Sequence, residues 1–159
     1  MQNVSKIDDF DFLIGKWKVL NKRLKERLVG NNEWIEFNGE LEVRKTLNGY
    51  ANVDEYKTVF NGKELYAVTV RVFNPDDKIW SIYWLDTFTY ELIPQVKGNF
   101  ENGIGEFYGE ELFKEKTVRL RFLWTKTSDT LVHWNQAYFD EAKNNWEINW
   151  TMDFYKQGS

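Results

Sequence analysis

Along most of the chain, apolar and polar residues alternate one by one. In 34–45, Ile35, Phe37, Leu41 and Val43 share one face, while Glu36, Glu40, Glu42 and Arg44 share the other. Val118, Leu120, Phe122 and Trp124 alternate with Thr117, Arg119 and Arg121. Trp146, Ile148, Trp150, Met152 and Phe154 alternate with Glu147, Asn149, Thr151 and Asp153. Successive side chains of a strand point to opposite faces, so a period of two describes strands with one buried and one wetted face.

Short turn signals interrupt the alternation. Gly30-Asn31-Asn32, Asn48-Gly49, Asn61-Gly62, Asn74-Pro75-Asp76-Asp77, Asn102-Gly103, Thr127-Ser128-Asp129 and Lys143-Asn144-Asn145 read as chain reversals. Asn-Gly supplies the positive φ angles of a two-residue hairpin turn, which a β-branched residue adopts only with strain. The spacing predicts ten strands, near 16–29, 33–45, 50–60, 64–73, 78–86, 95–101, 104–113, 117–126, 130–140 and 145–156. It also predicts a short helical plug over 6–14, before the first strand. Sequential hairpins leave two unpaired edges, and closing the sheet removes both. The predicted fold class is therefore all-β, an up-and-down antiparallel barrel of about ten strands, with a sandwich as the alternative that the same periodicity permits. A barrel of about eight strands has a lumen that side chains fill or that holds one small ligand, and ten leave more room.

Composition narrows the functional classes. The 159 residues include 8 Trp, 8 Tyr and 12 Phe, enough large rings for a substantial core. With 2 Pro and no low-complexity stretch there is no linker, so 1–159 reads as a single β-barrel domain, ordered over about 8–156. Cys is absent, which removes disulfides and thiolate ligands and points to the cytoplasm. A net charge of −4 without a basic run argues against nucleic acid as a partner. No run of about 18 apolar residues is present to cross a membrane, and residues 1–12 hold no apolar block of a signal peptide. Exposed strand faces leave a homodimer open.

The tryptophans are the strongest chemical signal. Trp80, Trp84, Trp124, Trp134, Trp146 and Trp150 fall on aromatic strand faces, where they either pack a core or wall a pocket for a flat or apolar ligand. Trp84, Trp134 and Trp150, central in their strands, are the expected lining residues. Polar residues in phase with these rings discriminate further, because a buried amide or carboxylate is costly unless hydrogen-bonded. Gln136 lies between Trp134 and Tyr138, Asp86 follows Trp84 by two, and Asn52 is in phase with Tyr50 and Tyr56. Each is either a structural hydrogen-bond partner or a group that orients a ligand. Alternation points Arg71 and Arg121 outward. Turned inward, either would need a carboxylate such as Asp54, Glu55 or Asp86, or an anionic ligand. The basic cluster Lys22, Arg23, Lys25 and Arg27, broken by Glu26, reads as a solvated strand face.

Catalytic and metal patterns are thin. The single His133 cannot build a multi-histidine site, and its phase, opposite to Trp134 and Gln136, turns it away from the aromatic face and from a haem. Gly103-Ile104-Gly105 follows a hairpin turn rather than opening a helix, so a dinucleotide reading fails, and neither a nucleophile elbow nor a phosphate loop is present. No metal and no cofactor is expected.

Phe12-Leu13-Ile14-Gly15-Lys16-Trp17 resembles the Gly-x-Trp opening of lipocalin-like (calycin) barrels. A narrower likeness runs through Arg23-Leu24-Lys25-Glu26-Arg27-Leu28-Val29-Gly30, then Trp34 with Phe37 and Gly39. It continues through Arg71-Val72-Phe73-Asn74-Pro75, Trp80-Ser81-Ile82-Tyr83-Trp84, Trp134-Asn135-Gln136-Ala137 and Trp146-Glu147-Ile148-Asn149-Trp150. Over most of its length the chain is similar to an uncharacterised bacterial lipocalin-like family of unknown function. The resemblance implies a calycin-type barrel with a ligand-sized interior, a glycine that turns the chain into the first strand and a tryptophan that plugs one end. It implies no activity.

Three functional readings follow. The first is a small-molecule binding protein holding an apolar or aromatic, carboxylate-bearing or neutral ligand near Asn52, Arg71, Trp84, Asp86, Arg121, Trp134, Gln136 and Trp150. The second is a cofactor-free enzyme in which Glu55 shuttles a proton, Tyr56 donates and Arg71 clamps a carboxylate. The third is an interaction module with a filled core.

Overall fold

The structure, a computed structural model, describes residues 5–158, apart from the side chains of 94 and 95. Residues 1–4 and 159 of the expected domain lie outside the described residues. Ten strands form one closed antiparallel barrel: β1 (Gly15–Leu24), β2 (Trp34–Thr46), β3 (Ala51–Phe60), β4 (Lys63–Asn74), β5 (Ile79–Asp86), β6 (Leu92–Glu101), β7 (Ile104–Phe113), β8 (Lys116–Lys126), β9 (Leu131–Asp140) and β10 (Asn145–Lys156). Each strand pairs with its neighbours in sequence, and β10 closes on β1 from Trp17↔Lys156 to Arg23↔Trp150. The barrel, not the sandwich, is therefore the architecture. Strand β1 stops at Leu24, short of the expected 29, because the chain leaves the sheet there. Leu28 and Gly30 take φ of 60° and 72°, and the Leu28 amide donates to Glu147 Oε1 at 2.7 Å.

The predicted helical plug is corrected. Residues 6–14 fold as successive tight turns, with Asp9, Asp11, Leu13 and Ile14 amides each bonded to the carbonyl three residues back, and only Asp11–Leu13 closes a 3-10 turn. So short a segment cannot sustain the α-helical ladder, and three-residue spacing turns Phe10 and Leu13 to the same side. Both are buried in one end of the barrel. Phe10 packs edge-on against Trp80 and Phe100, with centroids 5.0 and 4.8 Å away. Gly15, at φ 128°, turns the chain into β1, and Trp17 Nε1 donates to the Leu13 carbonyl at 2.8 Å. Aromatic rings thus close this end.

Two irregularities change which side chains reach the interior. The pairing of β9 and β10 shifts between Ile148 and Trp150, leaving Asn149 as an extra residue. A bulge of this kind inverts the phase of everything before it. Trp150, Met152 and Phe154 are buried in the barrel. Trp146 and Ile148, expected on the same face, are on the outside, where Trp146 meets Phe139 and Tyr108. A second shift lies between β5 and β6, beside Trp84. The backbones of β6 and β7 also approach closely at Gly98, where a Cβ would stand 1.8 Å from the Glu106 carbonyl oxygen.

Candidate functional site

The other end of the barrel is open. Above the aromatic plug a cavity of about 640 Å³ runs out to the mouth, formed by the 25–27, 86–89 and 111–114 segments. This volume is within the range of small-molecule sites, roughly 300–1,000 Å³. It speaks against a filled-core module.

Trp84, Trp134 and Trp150 form one continuous wall. Trp150 meets Trp84 and Trp134 edge-on, at 6.0 and 5.4 Å, and its Nε1 donates to Asn21 Oδ1 at 3.0 Å. Leu41, Ile82, Leu120 and Phe122 complete the apolar lining. Trp124 lies at the floor, whereas Trp80 belongs to the plug.

Arg71 also stands at the floor, and its position corrects the outward expectation. On β4 the inward positions are Leu65, Ala67, Thr69, Arg71 and Phe73, while the valines between them are only half-buried on the outside. Arg71 Nη2 lies 2.7 Å from Asp54 Oδ2, and Arg71 Nη1 donates to Asn52 Oδ1 at 2.9 Å. Burial pushes the Asp54 carboxyl above the usual carboxylate range, and the Arg71 guanidinium opposes that shift. The Arg71 guanidinium further lies 5.1 Å over the Trp124 ring. Asn52 is buried beneath Arg71 and does not line the cavity.

Gln136 lines the wall, and its Nε2 donates to Asn149 Oδ1 at 2.9 Å. Asp86 sits at the mouth, accepting from Trp84 Nε1 at 2.8 Å and from the Phe88 and Thr89 amides at 3.0 Å. Burial pushes the Asp86 carboxyl up, but these hydrogen bonds outweigh it and hold the group below its ordinary value.

Besides Asn52, two further candidate residues, Glu55 and Arg121, are not in this cavity. Glu55 is exposed on the outer face, across from Glu42 and Val68, while its neighbour Tyr56 is buried inside. The Glu55–Tyr56–Arg71 constellation is therefore not assembled. Burial raises the Tyr56 hydroxyl pKa to about 12. Arg121 points outward, as strand alternation has it, with its guanidinium 4.9 Å over the Trp146 ring, so its expected place beside the ligand is corrected. His133 is likewise outside, with Nδ1 2.7 Å from Asp153 Oδ1.

The cavity also contains residues outside the expected set. Arg23, read as part of a solvated face, lines the interior. Its guanidinium lies 5.0 Å over Phe60 and 4.9 Å over Trp150. The signal was its phase, shared with Trp17, Val19 and Asn21. Arg27 lies at the mouth, its Nη1 donating at 2.8 Å to the Tyr138 hydroxyl, which donates in turn to Glu111 Oε1. Burial and the Glu111 charge raise the Tyr138 pKa. Asp54 shared the phase of Asn52 and Tyr56.

No known family model matches the chain, and no curated protein matches it either. Solved structures do. The chain is similar to the S-type phycobiliprotein lyase CPES from Guillardia theta, with a TM-score of 0.62 and 10% identity over 94% of this chain and 91% of that one. It is also similar to a redesigned beta barrel, with a TM-score of 0.52 and 11% identity over 97% and 99% of the two chains. At such identities the likeness is one of fold alone, that of the closed ten-stranded antiparallel barrel. Among the described residues no helix is long and apolar enough to cross a membrane.

Proposed function

We propose that this chain is a binding protein that holds a small, largely apolar or aromatic ligand in its barrel cavity. The observation that carries the reading is the open cavity of about 640 Å³ walled by Trp84, Trp134 and Trp150. Rings supply large contact area at little entropic cost, and a few placed polar groups orient what they hold. Gln136 and Asp86 are those groups. Arg71, Asp54 and Asn52 act as a fixed polar floor, since Arg71 already has a carboxylate partner. The fold likeness to a phycobiliprotein lyase supports the reading. Membership of the bacterial lipocalin-like family of unknown function is part of this proposal and rests on the motifs from Arg23 to Trp150. So is a cytoplasmic location, for a chain with 0 Cys needs no oxidising compartment to fold.

The test is a thermal-shift screen with fatty acids, phenolic acids, flavins and haem, with tryptophan fluorescence recorded alongside. A binder is expected to raise Tm saturably and to quench the Trp84–Trp134–Trp150 emission, because only the folded barrel takes it up. Substituting Trp134→Leu should weaken the same hit. A panel without any saturable shift or quenching would overturn the reading.

A further inference from the structure

The four acids of the cavity and its mouth all have partners of their own. Glu26 accepts from Asn31 Nδ2 at 3.3 Å, Asp54 is paired with Arg71, Asp86 is bonded to Trp84 and two amides, and Glu111 accepts a hydrogen bond from the Tyr138 hydroxyl. Below the exposed rim the cations are matched in the same way, with one exception. Lys25 meets Glu33 at 3.4 Å outside the cavity, Arg71 meets Asp54, and Arg27 is joined to Glu111 through Tyr138. Lys114 lies at the exposed rim.

Arg23 is the exception. It makes no ion pair and no hydrogen bond with the described residues and is held between the Phe60 and Trp150 rings. Burial, and then the like charge of Arg27, lower its pKa to about 10, with Tyr138, Glu111 and Asp86 opposing. The guanidinium is therefore still charged at neutral pH, partly stripped of water and without a counter-ion of its own. A planar fork in that condition is suited to a carboxylate.

We propose that Arg23 is the anion-recognising residue of the cavity and that its ligand is an amphipathic monocarboxylate. This rests on the binding reading above. Arg23 stands near the open end of β1, in register with Ile35 and Trp150. The carboxylate accordingly sits toward the mouth and the apolar body runs inward along Trp150, Trp84 and Trp134. Asp86 and Glu111, both at the mouth, repel a second negative charge, which favours a monoanion over a phosphate dianion. The inward end of the ligand meets a floor whose cation is already matched, so a second carboxylate gains nothing there.

The experiment titrates the full chain with two matched pairs, dodecanoate against dodecanamide and 2-naphthoate against 2-naphthamide, followed by tryptophan fluorescence and calorimetry. At least one acid is expected to bind roughly tenfold or more tighter than its amide, the size of a hydrogen-bonded charge contact. In Arg23→Gln that preference is expected to vanish while the amide keeps its affinity. Arg23→Lys serves as the second variant should Arg23→Gln not fold, and it should lose most of the preference because an ammonium lacks the planar fork. Acids and amides binding the wild type equally would overturn the anion proposal and leave the cavity reading standing. A preference that survives both variants would overturn the assignment to Arg23. Failure of all four compounds to bind would overturn the cavity reading along with it.

Discussion

Arg71 Nη2 and Asp54 Oδ2 lie 2.7 Å apart at the cavity floor, with side chains 3% and 2% exposed. The β3–β4 register sets Asn52 opposite Arg71 and Asp54 opposite Thr69, so the ion pair is diagonal and Asn52 braces it from directly across the ladder. Removing one member strands the other charge in a site shielded from water. Arg71→Met is therefore expected to cost about 3–5 kcal/mol in urea unfolding, and the double variant Asp54→Leu/Arg71→Met to recover most of that loss. A single variant within about 1 kcal/mol of wild type would show that the pair is not what holds the floor.

Gly98 on β6 faces Phe107 on β7, with the Glu106 carbonyl in the space a side chain would need. Its replacement by alanine places a methyl group 1.8 Å from that backbone oxygen, which no rotamer can relieve. Gly98→Ala is expected to open the β6–β7 ladder and to prevent cooperative folding, seen as loss of the near-ultraviolet dichroism of the aromatic plug. Gly62→Ala, where nothing lies within 4 Å and only a φ of 74° is strained, should cost only about 1 kcal/mol. Equal behaviour of the two variants would refute the close approach.

Acid should loosen the mouth. Net of its burial, the hydrogen bonds to the Asp86 carboxylate keep its pKa below the ordinary 3.8. A group with a depressed native pKa contributes stability that is present above its unfolded value and lost as the pH falls through its native value. Below about pH 4 the wild type should accordingly lose protection of the Phe88 and Thr89 amides in hydrogen exchange. Asp86→Asn removes the titrating group and should flatten that acid limb. An unchanged slope would assign the acid sensitivity elsewhere.

The barrel was legible because its signals are local. Alternation in β2 and β8 follows from strand geometry, and Asn61-Gly62 and Asn102-Gly103 carry the positive φ of tight hairpins. The outward place of Glu55 was also legible: it precedes Tyr56, and a strand turns consecutive side chains to opposite faces. The inward phase of Arg23 was likewise present on β1, masked by the lysines around it.

Arg71 and Trp146 were not legible in this way. The valines at 68, 70 and 72 make the outer face of β4 the more apolar one, and what turns Arg71 inward is the Asp54 carboxylate of the adjoining strand. Trp146 lies outside because one extra residue, Asn149, inverts the phase of β10. No period-two pattern announces a bulge, because the pattern on either side of it is unbroken.

By itself the sequence determined ten strands, their hairpin order and an aromatic interior, all of which follow from backbone sterics and side-chain alternation within one segment. Only the tertiary structure decided that the interior is half plugged and half open, which guanidinium is matched there and which is not. Those outcomes depend on register between strands and on the summed volume of side chains from all ten, quantities that no single segment contains.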